Sequence, residues 1–441
     1  MKKFNQSLFA LSTLTLAIQA GAAGFALNES SAAAAGTAYA GRGSNAEDAS
    51  IMAANPAGIA LLKERQVTVG GAVVVPEGNF QGTGVDPFSP TGTVSSKNDD
   101  FLKTKFIPFG FFSMPVDEQL SFGLGVYAPF GSSSDYGDEW AGKYMADKTE
   151  FTVVNIQPTV AYQFSDDLSV GLGVFASHGE GELTREVFIP ATSLPTPDAL
   201  GSSKMTGDGW AYGWNIGVIW QPIDQTTLGL SYRSKVDHSL EGDARITVKA
   251  PYTGQLDEKA KLDITFPEQF ELSATHQIDN RWTVMAGAVW TRWSRFDALV
   301  IESNQGGNGP ISGRDTSDTD VLTYVPEKWE DVWAFSLGTS YQYSDDLTLK
   351  AGYAFDQSPV PDEYRTARTP DSDRNWLTVG AKYEFGSDWT VDAAYGYMFG
   401  SKVKIDEENY NSDGTPNGGL TLKGEYDNTA HVFSASVTRR F

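Results

Sequence analysis

Large apolar and small or polar residues alternate along most of this chain, and the alternation restarts after each of a series of short turns containing Asp. After Asp346 one face reads Leu347, Leu349, Ala351, Tyr353 and Phe355, and the other Thr348, Lys350, Gly352 and Ala354. After Asp388 the large set is Trp389, Val391, Ala393, Tyr395, Tyr397 and Phe399, against Thr390, Asp392, Ala394, Gly396 and Met398. Between Trp333 and Tyr343 the large residues fall on odd numbers, with Ala334, Ser336, Gly338, Ser340 and Gln342 between them. A period of two is that of a β-strand whose two faces meet different surroundings.

Six such turns occur, at Pro115–Leu120, Phe164–Leu168, Pro222–Thr227, Ile278–Trp282, Tyr343–Leu347 and Phe385–Trp389. Asp and Asn favour tight turns because their side chains bond the backbone two residues on. Six turns join twelve strands into hairpins. Gln66 to Val75 and His431 to Phe441 add one strand at each end, making fourteen. The intervening connections, roughly 76–101, 131–150, 186–206, 249–261, 302–329, 357–373 and 406–424, are longer and rich in Gly, Pro, Asp, Asn and Ser. Short turns at one rim and long loops at the other predict an all-β membrane protein, a 14-stranded antiparallel outer-membrane β-barrel. Trp220, Trp282 and Trp389 fall near the turns, and Trp214 and Trp290 toward the loops, as two interfacial girdles require. A soluble barrel would place its large residues inside; here the small and polar set needs a lumen.

Composition narrows the picture. The net charge of -23 argues against a nucleic-acid partner. With no cysteine there is no disulfide framework, thiolate metal site or Cys nucleophile. Beyond the N-terminus no apolar run reaches the roughly 18 residues of a spanning helix. At the N-terminus, Lys2 and Lys3, the apolar stretch Leu8–Ile18 and Ala20-Gly21-Ala22 make residues 1–22 a signal peptide, with Ala23 starting the mature chain. Residues 23–63 lack alternation and are rich in small residues, as in Ser30–Gly36 and Ala53–Gly58. They are expected to form a small helical hatch plugging a barrel built from residues 64–441.

Two features of the barrel stand out from the residues alone. In the third strand, Leu120, Phe122, Leu124 and Val126 share a face and then meet Ala128-Pro129-Phe130-Gly131. Proline cannot donate to a sheet ladder, so a bulge or break is expected there. Gln157-Pro158 in the next strand is a second ladder gap. At the other end, Phe433, Ala435, Val437 and Phe441 share a face, and a terminal aromatic on an amphipathic last strand looks like the signal read by barrel-assembly machinery.

The chain resembles the FadL family of outer-membrane long-chain fatty acid transport proteins. The resemblance rests on Ala23-Gly24-Phe25-Ala26-Leu27-Asn28-Glu29 and on Asn55-Pro56-Ala57, the family's NPA signature at the expected distance. Gly213–Gly217, Trp290–Ser294 and Phe355–Pro361 carry it through the barrel. It implies passive uptake of long-chain fatty acids: binding in an extracellular groove and lumen pocket, movement of the hatch, and lateral release into outer-membrane lipid through a kink in the third strand. Ala128, Pro129, Phe130 and Gly131 fall where the family places that kink. Asn55, Pro56 and Ala57 would hold the hatch. Phe25 and Leu27, apolar with little local reason, would contact the ligand. Arg185 matches a basic ligand-binding position of the family, and Lys328 is a second basic candidate. A monomer is expected, as in the family.

There is no G-x-x-x-x-G-K-[ST] loop, G-x-S-x-G elbow or H-E-x-x-H motif, and His178, His238, His276 and His431 lie far apart. Asn409–Gly414 resembles half a calcium loop but lacks the closing Glu, with Leu420 at the twelfth position. No enzyme, cofactor or metal is expected. Alternative readings are a channel for aromatic hydrocarbons or alkanes, a general porin, and a surface receptor acting through the acidic loops.

Overall fold

The computed structural model describes residues 24–189, 199–314 and 320–441; the signal peptide read from the sequence lies outside them. Fourteen antiparallel strands close a ring: β1 (Gln66–Val85), β2 (Lys105–Pro115), β3 (Leu120–Asp135), β4 (Lys148–Ser165), β5 (Leu168–Ile189), β6 (Ala199–Ile223), β7 (Thr226–Arg233), β8 (Gln269–Gln277), β9 (Trp282–Thr291), β10 (Val332–Gln342), β11 (Leu347–Asp356), β12 (Arg374–Phe385), β13 (Trp389–Gly400) and β14 (Pro416–Arg440). Each pairs with its chain neighbour in the ring, and β14 closes on β1 from Gln66↔Arg440 to Gly84↔Leu422. Closure pairs the backbone around the ring, as hydrocarbon requires, apart from an interruption at β3.

All six Asp turns stand where the alternation placed them, and their chemistry is visible. Asp117 Oδ1 accepts the amides of Gln119 at 2.9 Å and Leu120 at 2.8 Å. Asp279 does the same for Arg281 and Trp282, both at 2.8 Å. The alternation also has the expected polarity. Trp333, Phe335 and Leu337 are 41%, 51% and 64% exposed on the outer wall, which is therefore the lipid-facing surface. Gly338, the next residue, faces the lumen so closely that a Cβ there would lie 2.7 Å from Thr37.

The strands at the loop rim run further than the alternation suggests. β1 continues to Val85 and β14 begins at Pro416, and their outer parts bury Phe80, Leu422 and Tyr426. Six more strands lie beyond the ring on this side: Thr93–Asp99, Val236–Val248, Gly254–Phe266, Ala298–Ser303, Val321–Pro326 and Val403–Tyr410. The connection expected at 249–261 is thus a long hairpin whose register runs from Val236↔Phe266 to Val248↔Gly254. Outside the bilayer a ladder no longer needs an apolar outer face. Charged pairs such as Arg245–Asp257, at 2.5 Å, occupy those positions and disguise the strand as a loop.

Residues 24–62 run inside the ring. Arg42 Nε pairs with Glu271 of β8 at 3.0 Å, and Lys350 Nζ of β11 holds Glu47 at 2.6 Å together with Asp392 of β13 at 3.1 Å. Helix is confined to Ala32–Ala35, Ile51–Ala54 and a 3-10 stretch, Pro56–Leu61. The Ala-rich run stops early because Ala38 and Tyr39 take positive φ (51° and 61°). Wall side chains then satisfy the free carbonyls: Lys350 Nζ donates to Ala33 O at 3.0 Å and Thr378 Oγ1 to Gly36 O at 3.1 Å.

Candidate functional site

The wall is interrupted at β3. Its ladder to β2 ends at Gly110↔Val126, although β2 continues along β1 to Val74↔Lys105. On the other side its register with β4 slips between Tyr127 and Phe130, so the strand carries an extra residue around Ala128-Pro129. On the β2 side, the chain just before β2 next meets β3 at the isolated bridge Leu102↔Ser134. Between these points β3 has a free edge, and the start of the inner segment occupies it. Leu27 N–H donates to Pro129 O and Gly131 N–H to Phe25 O, both at 2.9 Å, around the bridge Ala26↔Phe130. Leu27 packs with Ala128 and Ile107 at the interruption. In β4 the ladder to β5 skips Gln157 and Pro158 without changing register.

A second contact joins the inner segment to the same place. Tyr127 Oη donates to Gln157 Oε1 at 2.6 Å and accepts from Arg233 Nη1 at 2.8 Å. Gln157 Nε2 donates to Met52 O at 3.0 Å, and Arg233 Nη2 to Ala53 O. The last carbonyls of the Ile51–Ala54 helix are therefore satisfied by side chains that also fix the residue just before the bulge.

Asn55-Pro56-Ala57 follows directly. Asn55 is fully buried; its Nδ2 donates to Gly43 O at 2.9 Å and Val218 O at 3.1 Å, and its Oδ1 accepts the Ala57 amide at 3.0 Å. Pro56 opens the 3-10 stretch, where its missing N–H is not needed. The wall makes room with glycines. A Cβ on Gly217 would lie 1.9 Å from Asn55 Oδ1, and one on Gly171 2.3 Å from Ala57 N.

Phe25 points the other way, into an aromatic box. Its ring lies 4.8 Å from Trp293, 5.0 Å from Trp329, 5.5 Å from Phe296 and 5.8 Å from Phe266, with Phe151 and Phe130 at 6.0 and 6.4 Å. It also lines a cavity whose apolar wall includes Leu183, Met205, Leu240, Ile264, Leu299 and Ile301. Polar groups, among them Arg368, Thr369 and Glu327, also line it.

The profile of the family described as outer membrane protein transport protein (OMPP1/FadL/TodX) matches residues 13–441. The chain belongs to that family. Outer membrane protein P1 of Haemophilus influenzae is 31% identical over 442 residues, covering 92% of each chain. The long-chain fatty acid transport protein of Escherichia coli K12 is 29% identical over 440 residues, covering 92% of this chain and 94% of its own. A FadL homologue from Pseudomonas aeruginosa superposes with TM-score 0.82 at 24% identity, over 95% of this chain and 100% of its own. The P. putida toluene transporter TodX gives 0.68 at 18% identity, over 89% and 94%. Those two structural likenesses establish the fold. With the outer membrane relatives, they make this FadL-family chain a multi-pass outer-membrane barrel.

Of the residues singled out from the sequence, this FadL-family barrel brings Phe25, Leu27 and Ala128–Gly131 into one contact. Arg185, on the outer part of β5, is half-buried and has no hydrogen bond or ion pair among the described residues; Glu407 is its opposite-charge neighbour. It is not in the cavity wall. Lys328 is exposed at a positive-φ turn and pairs with Asp297 at 2.8 Å, outside the cavity. Arg368, which drew no notice in the sequence, is buried against the cavity, donating to Thr149 Oγ1 at 2.9 Å and to the carbonyls of Met145 and Thr184 at 3.1 Å. Burial and the nearby Arg185 hold its guanidinium down at about 10. Burial also pushes Glu327 up to about 8 and Glu407 to about 7. The cue to Arg368 was meagre: it lies in the polar stretch 357–373, and nothing local says that this loop folds inward.

Proposed function

We propose that this barrel takes long-chain fatty acids passively across the outer membrane. The ligand occupies the cavity beside Phe25, displacement of the inner segment frees the edge of β3, and the acyl chain leaves sideways between β2 and β3. One observation carries the reading: Phe25, which lines the cavity, is bonded through its own backbone to the interrupted strand. Residues 24–62 then act as a hatch, with Asn55-Pro56-Ala57 as its anchor.

A lateral path follows from solvation. Each buried CH₂ is worth about 0.8 kcal/mol, so an acyl chain resists an aqueous exit, while delivery into the bilayer keeps it in an apolar surrounding. The name of the 29% identical E. coli relative supports the ligand class. Arg185 and Arg368 supply positive charge near the cavity for a carboxylate. The test is oleate binding to the purified barrel and oleate uptake by cells whose only such transporter is this one. Saturable binding together with uptake is expected; a barrel that binds and passes toluene but not oleate would displace this reading in favour of hydrocarbon uptake.

A further inference from the structure

The buried hydroxyls that have no hydrogen-bond partner among the described residues are those of Ser113, Ser132, Ser134, Thr390 and Ser436. Only Ser132 among them lines the apolar cavity. Its side chain is almost wholly buried, with the residue 3% exposed. A hydroxyl left unbonded in an apolar space costs free energy, and a ligand atom that accepts its proton recovers that cost.

What lies beside Ser132 indicates the acceptor. Ser132 stands opposite Phe151 in the β3–β4 ladder, and Ser134 opposite Thr149. Ser132 and Thr149 are therefore diagonal neighbours on one face, roughly 7–8 Å apart or less. Thr149 Oγ1 in turn receives Arg368 Nη1 at 2.9 Å, and the Arg368 side chain lines the same cavity. A neutral donor and a guanidinium thus lie close together in the wall of this cavity, whose other polar lining residues are Glu150, Thr206, Lys261, Glu327 and Thr369.

Building on the fatty-acid reading above, we infer that Ser132 and Arg368 form the seat for the ligand's carboxylate, one oxygen accepting from Ser132 Oγ and the group facing the Arg368 guanidinium. The seat selects a long-chain monocarboxylate over an uncharged hydrocarbon of the same length, because only the former accepts from Ser132 Oγ and carries a negative charge toward the guanidinium, which keeps its bonds to Thr149 and the Met145 and Thr184 carbonyls. Its position also fixes polarity. Ser132 directly follows Gly131, whose amide holds Phe25, so the head group sits against the interrupted strand and the tail extends along Leu240, Ile264 and Leu299.

The experiment compares oleate and 1-octadecene binding to the full barrel and to Ser132→Ala, which removes one oxygen atom and opens no contact the fold needs. S132A is expected to weaken oleate by roughly tenfold, the loss of one hydrogen bond to a charged group, and to leave 1-octadecene unchanged. Ser132→Thr, which keeps a hydroxyl, should retain most of the oleate affinity. Equal oleate affinity in S132A and the unmodified barrel, or an equal loss for both probes, would overturn the seat while leaving fatty-acid transport standing. Binding of neither probe by the unmodified barrel would overturn the transport reading, and the seat with it.

Discussion

Ala26 and Phe130 face each other as a non-hydrogen-bonded antiparallel pair, flanked by the Leu27–Pro129 and Gly131–Phe25 backbone bonds at 2.9 Å. The start of the inner segment is thus a short strand laid on the edge that β2 leaves free. The cavity and the break in the wall meet there, since Phe25 lines the one and Pro129 marks the other.

If that break is the exit, repairing it should block the path. Replacing both Pro129 and Gly131 with Val restores a donor and a strand-forming side chain. Oleate uptake is expected to fall at least tenfold, with the affinity of the purified barrel little changed. Wild-type uptake rates in the double variant would place the exit elsewhere.

The anchor of the inner segment should respond to loss of its bonds. Asn55→Ala removes three hydrogen bonds and leaves buried groups unpaired, at about 1–3 kcal/mol each. Gly217→Ala attacks the same point from the wall, because its Cβ would sit 1.9 Å from Asn55 Oδ1. Both variants should loosen the plug and raise single-channel conductance in planar bilayers. Conductance equal to that of the unmodified protein would show that the segment is held by other means.

Phe25→Ala removes a ring that lines the cavity, a truncation of the kind that costs about 3–5 kcal/mol in a packed core. Oleate affinity should drop and basal conductance rise together, because one side chain serves both tasks. A change in only one of the two would separate the cavity from the gate.

The loops around the cavity should be sensitive to pH. Glu327 and Glu407 have folded values of about 8 and about 7, above the ordinary 4.5. Between 4.5 and those values the folded state keeps protons that an unfolded chain has released. The local stability they contribute is therefore largest at low pH and declines as pH rises toward about 8. Protection factors of residues 362–372, with the base-catalysed intrinsic exchange rate divided out, should fall over that window, and Glu327→Gln should flatten the fall. A Glu327→Gln profile as steep as that of the unmodified barrel would reject Glu327 as its source.

The sequence carried the barrel because its determinants are local. An Asp that caps its own turn, as Asp117 and Asp279 do, and a face that alternates over ten residues need no distant partner to be recognised. Pro129 announced the interruption for the same reason. The site was harder. Lys350 takes Glu47 as a partner across 303 residues, in addition to Asp392 of the neighbouring wall. Gly171 and Gly217 read as ordinary small lumen residues until the Asn55 segment is laid against them. Lys328 and Arg368 show the limit most clearly. Both are basic residues of long connections, and only the tertiary path turns Arg368 inward while leaving Lys328 on Asp297.

The most direct test of the account locks the Ala26–Phe130 pair. Non-hydrogen-bonded antiparallel pairs bring Cα atoms to about 4.5 Å, within disulfide reach, and the chain has no other cysteine. Cells carrying Ala26→Cys with Phe130→Cys should bind oleate yet fail to take it up under oxidising conditions, and should regain uptake on reduction; Phe130→Cys alone should show no such redox dependence. Equal uptake by the oxidised and reduced forms, with the disulfide verified, would contradict the claim that the first residues must leave β3 for the ligand to pass.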